Sequence, residues 1–203
     1  MKAAARGRRK IAGRTVIGIT GALASGKTAV TDMFVSRGAA RIDADEIAHR
    51  LLRENDMVKR KVISVFGEGI VEEGEISRRK LAAAVFPDKK KLEALCAILH
   101  PGIIREIKEK ADHAAEAVIA VDAPLLIESG MHDYVDIVVV VTADSDVLLK
   151  RATNRGISER EARDIIEAQM PLTEKIKFAD YIIDNSDGRD KIKEGVDRIW
   201  EET

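Results

Sequence analysis

Eight residues, Gly21-Ala22-Leu23-Ala24-Ser25-Gly26-Lys27-Thr28, carry the spacing Gly-x-x-x-x-Gly-Lys-Thr. Glycines at the ends of such a stretch let the backbone curl until its N–H groups converge on phosphate oxygens. A helix opening over Lys27, Thr28 and Ala29 would add the positive end of its dipole. Lys27 can then reach the terminal phosphates of a nucleotide, and the Thr28 hydroxyl suits a Mg²⁺ ion that bridges them. The plainer alternative is a glycine-rich turn that only joins strand to helix. Strand, loop, Lys-Thr and helix in that order argue for the phosphate.

Two further sets of residues could act on what the loop holds. Asp43-Ala44-Asp45-Glu46 follows a weak apolar run, where ligands of open α/β sheets gather. Asp43 with Glu46 reads as a capping box. Asp45 either favours the helix dipole from the first turn or orients and deprotonates an attacking hydroxyl. Asp122 ends the run VIAV and could accept from a Mg²⁺-bound water, or close a turn. Arg151 and Arg155, four apart, could close on the same phosphates, or could belong to a solvated face. His49, His100, His113 and His132 lack zinc-site spacing, and His100-Pro101 reads as the end of a long helix.

These residues need elements to hold them. Continuous β-branched runs at 15–20, 118–121, 137–141 and 181–183, with a weaker one before Asp43, predict strands covered on both faces. Helical spacing follows the loop (Ala29, Val30, Met33, Phe34) and recurs at the C-terminus (Ile192, Val196, Ile199, Trp200). Alternating strand and helix predicts an α/β fold, a three-layer arrangement around a central parallel sheet. Residues 44–117 break the rhythm as a helical insertion. A charged stretch with Lys150, Arg151, Arg155, Arg160 and Arg163 forms a second one, over 145–170.

The chain has 203 residues, 45% of them hydrophobic, which suffices for one domain spanning 14–203 with its own core. A formal net charge of −1 does not call for nucleic acid or an anionic membrane as partner. No apolar run approaches a membrane span, and the single Cys96 excludes a disulfide framework and points to a reducing, cytoplasmic setting. Residues 1–13 form a basic arm, expected to be flexible. The sequence leaves monomer and small homo-oligomer open.

Taken together, IGITGALASGKTAV, IDADEIAHRLL, VFGEGIVEEGEISRRKLAAAVF, LHPGI, VDAPLLIESG, AQMPLTEK and ADYIIDN resemble the dephospho-coenzyme A kinase family, from about Thr15 onward. The resemblance implies a P-loop kinase that phosphorylates the ribose 3′-hydroxyl of dephospho-CoA with ATP and Mg²⁺. It implies a CoA-binding subdomain from the first insertion and a nucleotide lid from the second. Asp45 matches the family's general base, Arg78 and His100 fall in acceptor-site motifs, Arg151 and Arg155 match lid arginines, and Asn185 falls near the nucleotide base. Three departures stand out. Ala22 and Ala24 replace common glycines, so both are expected at ordinary dihedrals; Ile165 occupies a usual lid arginine, with Arg163 two residues earlier; and Ser77 replaces an acid at a helix N-cap. The rivals are another small P-loop kinase, which would share loop, acid and lid, and a nucleotide-dependent switch, disfavoured because no Asn-Lys-x-Asp motif is present.

Overall fold

In a computed structural model, residues 13–186 and 188–203 are described; most of the basic arm, residues 1–12, lies outside them. The strands are β1 (Thr15–Gly21), β2 (Ala40–Asp43), β3 (Val71–Glu72), β4 (Glu75–Ile76), β5 (Val118–Asp122), β6 (Ile137–Thr142) and β7 (Tyr181–Asp184). Five of them form one sheet in the order β2-β5-β1-β6-β7, all neighbours parallel. The unbroken runs of β1, β5 and β6 are explained, because neighbouring residues bury on opposite faces. The run 181–183, expected to be covered on both faces, is covered on one only, since β7 is an edge strand that buries Tyr181 and Ile183 and leaves Ile182 44% exposed. Ile119, Val121, Val138 and Val140 join one apolar cluster. Val118, Ala120, Val139 and Val141 join another.

The helices divide between those faces. Helices α1 (Lys27–Ser36) and α9 (Arg189–Trp200) cover one, where Val30 and Phe34 meet Ile192, Val196 and Ile199. Phe34 and Trp200 approach to 6.5 Å between ring centroids. The other face carries α2 (Ala44–Glu54), α3 (Asp56–Phe66), α4 (Arg78–Val85) and α5 (Lys89–His113). Last come α6 (Ser145–Asn154), α7 (Glu159–Ala168) and the short α8 (Leu172–Lys175).

Three expectations need correction. The first insertion is not purely helical: Val71 pairs with Ile76 and Glu72 with Glu75 in a small antiparallel hairpin, turned by Glu73 and Gly74 at φ of 52° and 82°. His100-Pro101 does not end a helix, since α5 runs through it for 25 residues. Proline removes one intrahelical N–H, but Leu99, Ile103, Ile104 and Ile107 are all buried and hold both halves on one face. Ala24, expected at ordinary dihedrals, has φ of 58°. A left-handed alanine costs about 1–2 kcal/mol; the curl of the phosphate loop imposes it, and the methyl is buried beside Ala152 and Ala162. Ala22 keeps a negative-side φ as expected.

Ser77 sits at the N-cap of α4, but its hydroxyl makes no cap bond. It bonds instead to Glu72, whose carboxyl this bond holds below its usual range, helped by Lys80.

Candidate active site

Parallel packing brings the carboxyl ends of β1, β2 and β5 together, and with them the loop and the acids. Asp43 and Asp122 are direct register partners, two carboxylates from adjacent strand ends. Asp43 also caps α2, accepting from the Glu46 N–H at 3.0 Å, as the capping box required. Two residues further on, Asp45 is thrown into the first turn of α2 and faces the cleft.

The loop leaves β1 at Gly21 (φ 154°) and enters α1 at Gly26 (φ 98°). Neither position has room for a side chain: a Cβ on Gly21 would lie 2.2 Å from the Val141 carbonyl oxygen, and one on Gly26 2.1 Å from Asn185 Nδ2. The Lys27 ammonium lies over the loop, 3.4 Å from the Ala22 carbonyl oxygen. Burial lowers its pKa, Asp122 and Asp45 pull it back up, and Lys175 and Arg155 add to the lowering. One ammonium thus sits among two acids and two cations.

Thr28 Oγ1 lies 3.5 Å from Asp122 Oδ2, with Arg41 Nη2 3.9 Å from the same oxygen. Asp122 is buried, and that burial raises its carboxyl, with Lys27 opposing. The Asp45 side chain is open to the cleft, yet protein surrounds it closely enough that desolvation, then Asp43, raises its carboxyl; Lys27 and Arg78 oppose. Arg78, at the start of α4, lowers His49 as well, second to burial. Asp45, His49 and Arg78 therefore form one electrostatic cluster, which Lys27 also influences.

Between Asp45 and α5 opens a cavity of about 80 Å³, lined by Ala44, Asp45, Cys96, His100, Pro124 and Met131 among others. Burial lowers the His100 imidazole; its Nε2 is buried with no protein partner, and its ring packs edge-on against Tyr134 at 5.8 Å.

Two more orphaned polar atoms sit around the loop. Ser25 Oγ is buried without a partner. Arg151 donates from Nη2 to the Asn185 carbonyl at 2.9 Å, while its Nη1 is buried and unpaired. A guanidinium nitrogen in that condition asks for an anion. Arg155, just past the end of α6, is exposed and close enough to influence Lys27. Arg163 instead pairs with Glu159, at 2.7 Å, and Ile165 leaves its position without a cation.

The Asn185 side-chain amide donates to the Ser25 carbonyl at 2.7 Å, so it lies beneath the loop.

Sequence reasoning missed one ion pair. Lys175, 1% exposed, lies 2.9 Å from Glu128 Oε1 and donates to the Pro124 carbonyl at 2.8 Å. Glu128 Oε1 also accepts from the Met170 N–H. In LTEK and IES both residues look like ordinary surface charge; only their presence inside the VDAPLLIESG and AQMPLTEK stretches marked them. The pair ties the segment after α7 to the turn after β5, beside Lys27.

Comparison with known proteins agrees with this arrangement. The sequence model of the family Dephospho-CoA kinase matches residues 15–191. A dephospho-CoA kinase from Aquifex aeolicus is 39% identical over 188 residues, covering 92% of this chain and 96% of the relative. One from Geobacillus kaustophilus is 41% identical over 182 residues, covering 87% and 90%. A Thermus thermophilus protein of known crystal structure superposes with a TM-score of 0.79 at 32% identity, covering 93% of this chain and 97% of that one. With the match running from β1 into α9 and the loop, acids and arginines gathered at one cleft, the chain belongs to the dephospho-CoA kinase family.

Proposed function

We propose that this protein transfers the γ-phosphate of ATP to the ribose 3′-hydroxyl of dephospho-CoA, releasing coenzyme A and ADP in the last step of coenzyme A synthesis. The observation that carries this reading is the place of Asp45. Its carboxyl feels both Lys27 of the phosphate loop and Arg78 of the insertion, and Arg78 also acts on His49 one turn along α2. In that position its carboxylate takes the acceptor's hydroxyl proton as the new O–P bond forms and the bond to the β-phosphate breaks. Lys27 neutralises charge on the transferred group. Residues 21–29 cradle the triphosphate, and the unpaired Nη1 of Arg151, with Arg155, supplies further positive charge.

Thr28 and Asp122 fit a Mg²⁺ ion: the hydroxyl lies 3.5 Å from the buried carboxylate oxygen, a spacing that would let one ion be held by the hydroxyl and, directly or through its own water, by the carboxylate. No three His, Cys, Asp or Glu side chains gather into a metal-holding group among the described residues. The phosphates and water would therefore complete the shell, as is usual for this ion. Bound there, it would neutralise charge on the β- and γ-phosphate oxygens.

The same reading assigns residues 44–117 to the acceptor, with Arg78 and the orphaned His100 Nε2 as its contacts. Residues 145–170 close over the nucleotide and keep water from the phosphate. Among the described residues no helix is long and apolar enough to cross a membrane. Cytoplasmic residence fits the single Cys96, half-buried, whose thiol burial pushes up to about 11, with Glu128 and Glu93 adding to it. We take the working form as a monomer or small homo-oligomer.

ADP release from ATP and Mg²⁺ in the presence of dephospho-CoA, AMP or no acceptor tests the reading. Fast release is expected with dephospho-CoA alone; equal rates in all three would end it.

A further inference from the structure

Every phosphate loop must choose which way each of its peptides points. A trans peptide is planar, so its C=O and N–H face opposite sides, and among the described residues no peptide bond is cis. If the Ser25 carbonyl turned into the cradle, it would present an acceptor to a phosphate oxygen and turn the Gly26 N–H away. What prevents this is visible beneath the loop.

Asn185, 6% exposed, donates from Nδ2 to the Ser25 carbonyl oxygen at 2.7 Å. Its own backbone is fixed twice, by its N–H to the Thr142 carbonyl at 2.8 Å and by its carbonyl, which accepts from Arg151 at 2.9 Å. The side chain fills the space that a Cβ on Gly26 would need. Gly26 is thus demanded twice, by its φ of 98° and by the amide packed against it.

We propose that Asn185 is a positioning residue for phosphate: by holding the Ser25 carbonyl outward it points the Gly26 N–H into the cradle, and it acts through the loop backbone whatever base the nucleotide carries. The inference rests on the reading above, in which the loop holds the triphosphate. It departs from the base-site role that sequence resemblance assigned to Asn185, and the two roles differ in what they do to a ligand without a base.

The test measures binding of ATP, ITP and inorganic tripolyphosphate, each with Mg²⁺, to the wild type, Asn185→Ala and Asn185→Leu. Leucine keeps the branched volume and adds no charge, so it carries the test if the alanine variant does not fold. Losing one such hydrogen bond should weaken all three ligands by the same factor, about ten-fold, at little change in melting temperature. The downfield shift of the Gly26 amide on binding tripolyphosphate should shrink in parallel. Weakening confined to ATP, with ITP and tripolyphosphate unchanged, would make Asn185 a base contact and overturn the proposal. So would affinities unchanged for all three. A wild type that binds tripolyphosphate but transfers nothing to dephospho-CoA would sink the proposed function and leave this inference standing.

Discussion

The sheet body and the α6–α7 arm are held by very different amounts of apolar contact. On the body, α1 and α9 bury Val30, Phe34, Ile192, Val196 and Ile199 against one face, and the opposite face is continuous with α2 and α5. The arm rests on two small clusters. One joins Ala22 to Ala143 and Leu148; the other joins Ala24 to Ala152 and Ala162. Each cluster contains one of the loop's two alanines. The part expected to close over the nucleotide is thus fastened by small clusters, completed by the partly buried Val147, Leu149, Ile157 and Ile166, and both clusters reach the phosphate loop itself. Low local burial is what lets a segment open at a small fraction of global stability. A glycine at either loop position would remove one of the arm's few contacts.

Substitutions can break or sharpen this contrast. The largest loss of stability is expected from Lys175→Met, which strands the buried Glu128 carboxylate and should cost about 3–5 kcal/mol. Adding Glu128→Leu should return most of it, and denaturant unfolding of the single and double variants measures both. Leu126→Ala comes next, at about 2–5 kcal/mol, because Leu126 is fully buried and packs against the space left by Gly18. Ala162→Gly in the arm should cost about 1 kcal/mol locally, speeding amide exchange in α7 while the global unfolding midpoint barely moves. A midpoint shift as large as that of Leu126→Ala would show that arm and body unfold as one, and the contrast would be lost.

Much of this was legible in the sequence because it rests on local rules. Strand ends fell within a residue or two of the apolar runs, and Asp43 capped α2 through Glu46 as its spacing required. The misses came from tertiary context. Two-residue strands carry no period to read, so the β3–β4 hairpin passed as part of a helical region. Burial on both sides of Pro101 carried α5 through a residue that usually ends helices. Ala24 took a left-handed turn because the loop and the arm needed its place more than its methyl resisted. Lys175 and Glu128 could not be told from surface charge until the fold enclosed them.

The central claim is that Asp45 receives the acceptor's proton. Burial and Asp43 raise its carboxyl, and only the ionised form is a base. Activity is therefore lost as pH falls through a point above the usual aspartate value. The decisive measurement is the pH profile of kcat/KM for dephospho-CoA in the wild type and Asp45→Asn, with ATP affinity measured alongside. The account predicts an acid limb displaced upward from the ordinary aspartate value in the wild type. In Asp45→Asn it predicts that this limb vanishes, kcat falls about 10²–10⁴-fold and ATP binding is kept. Wild-type turnover with the same acid limb in Asp45→Asn would contradict it.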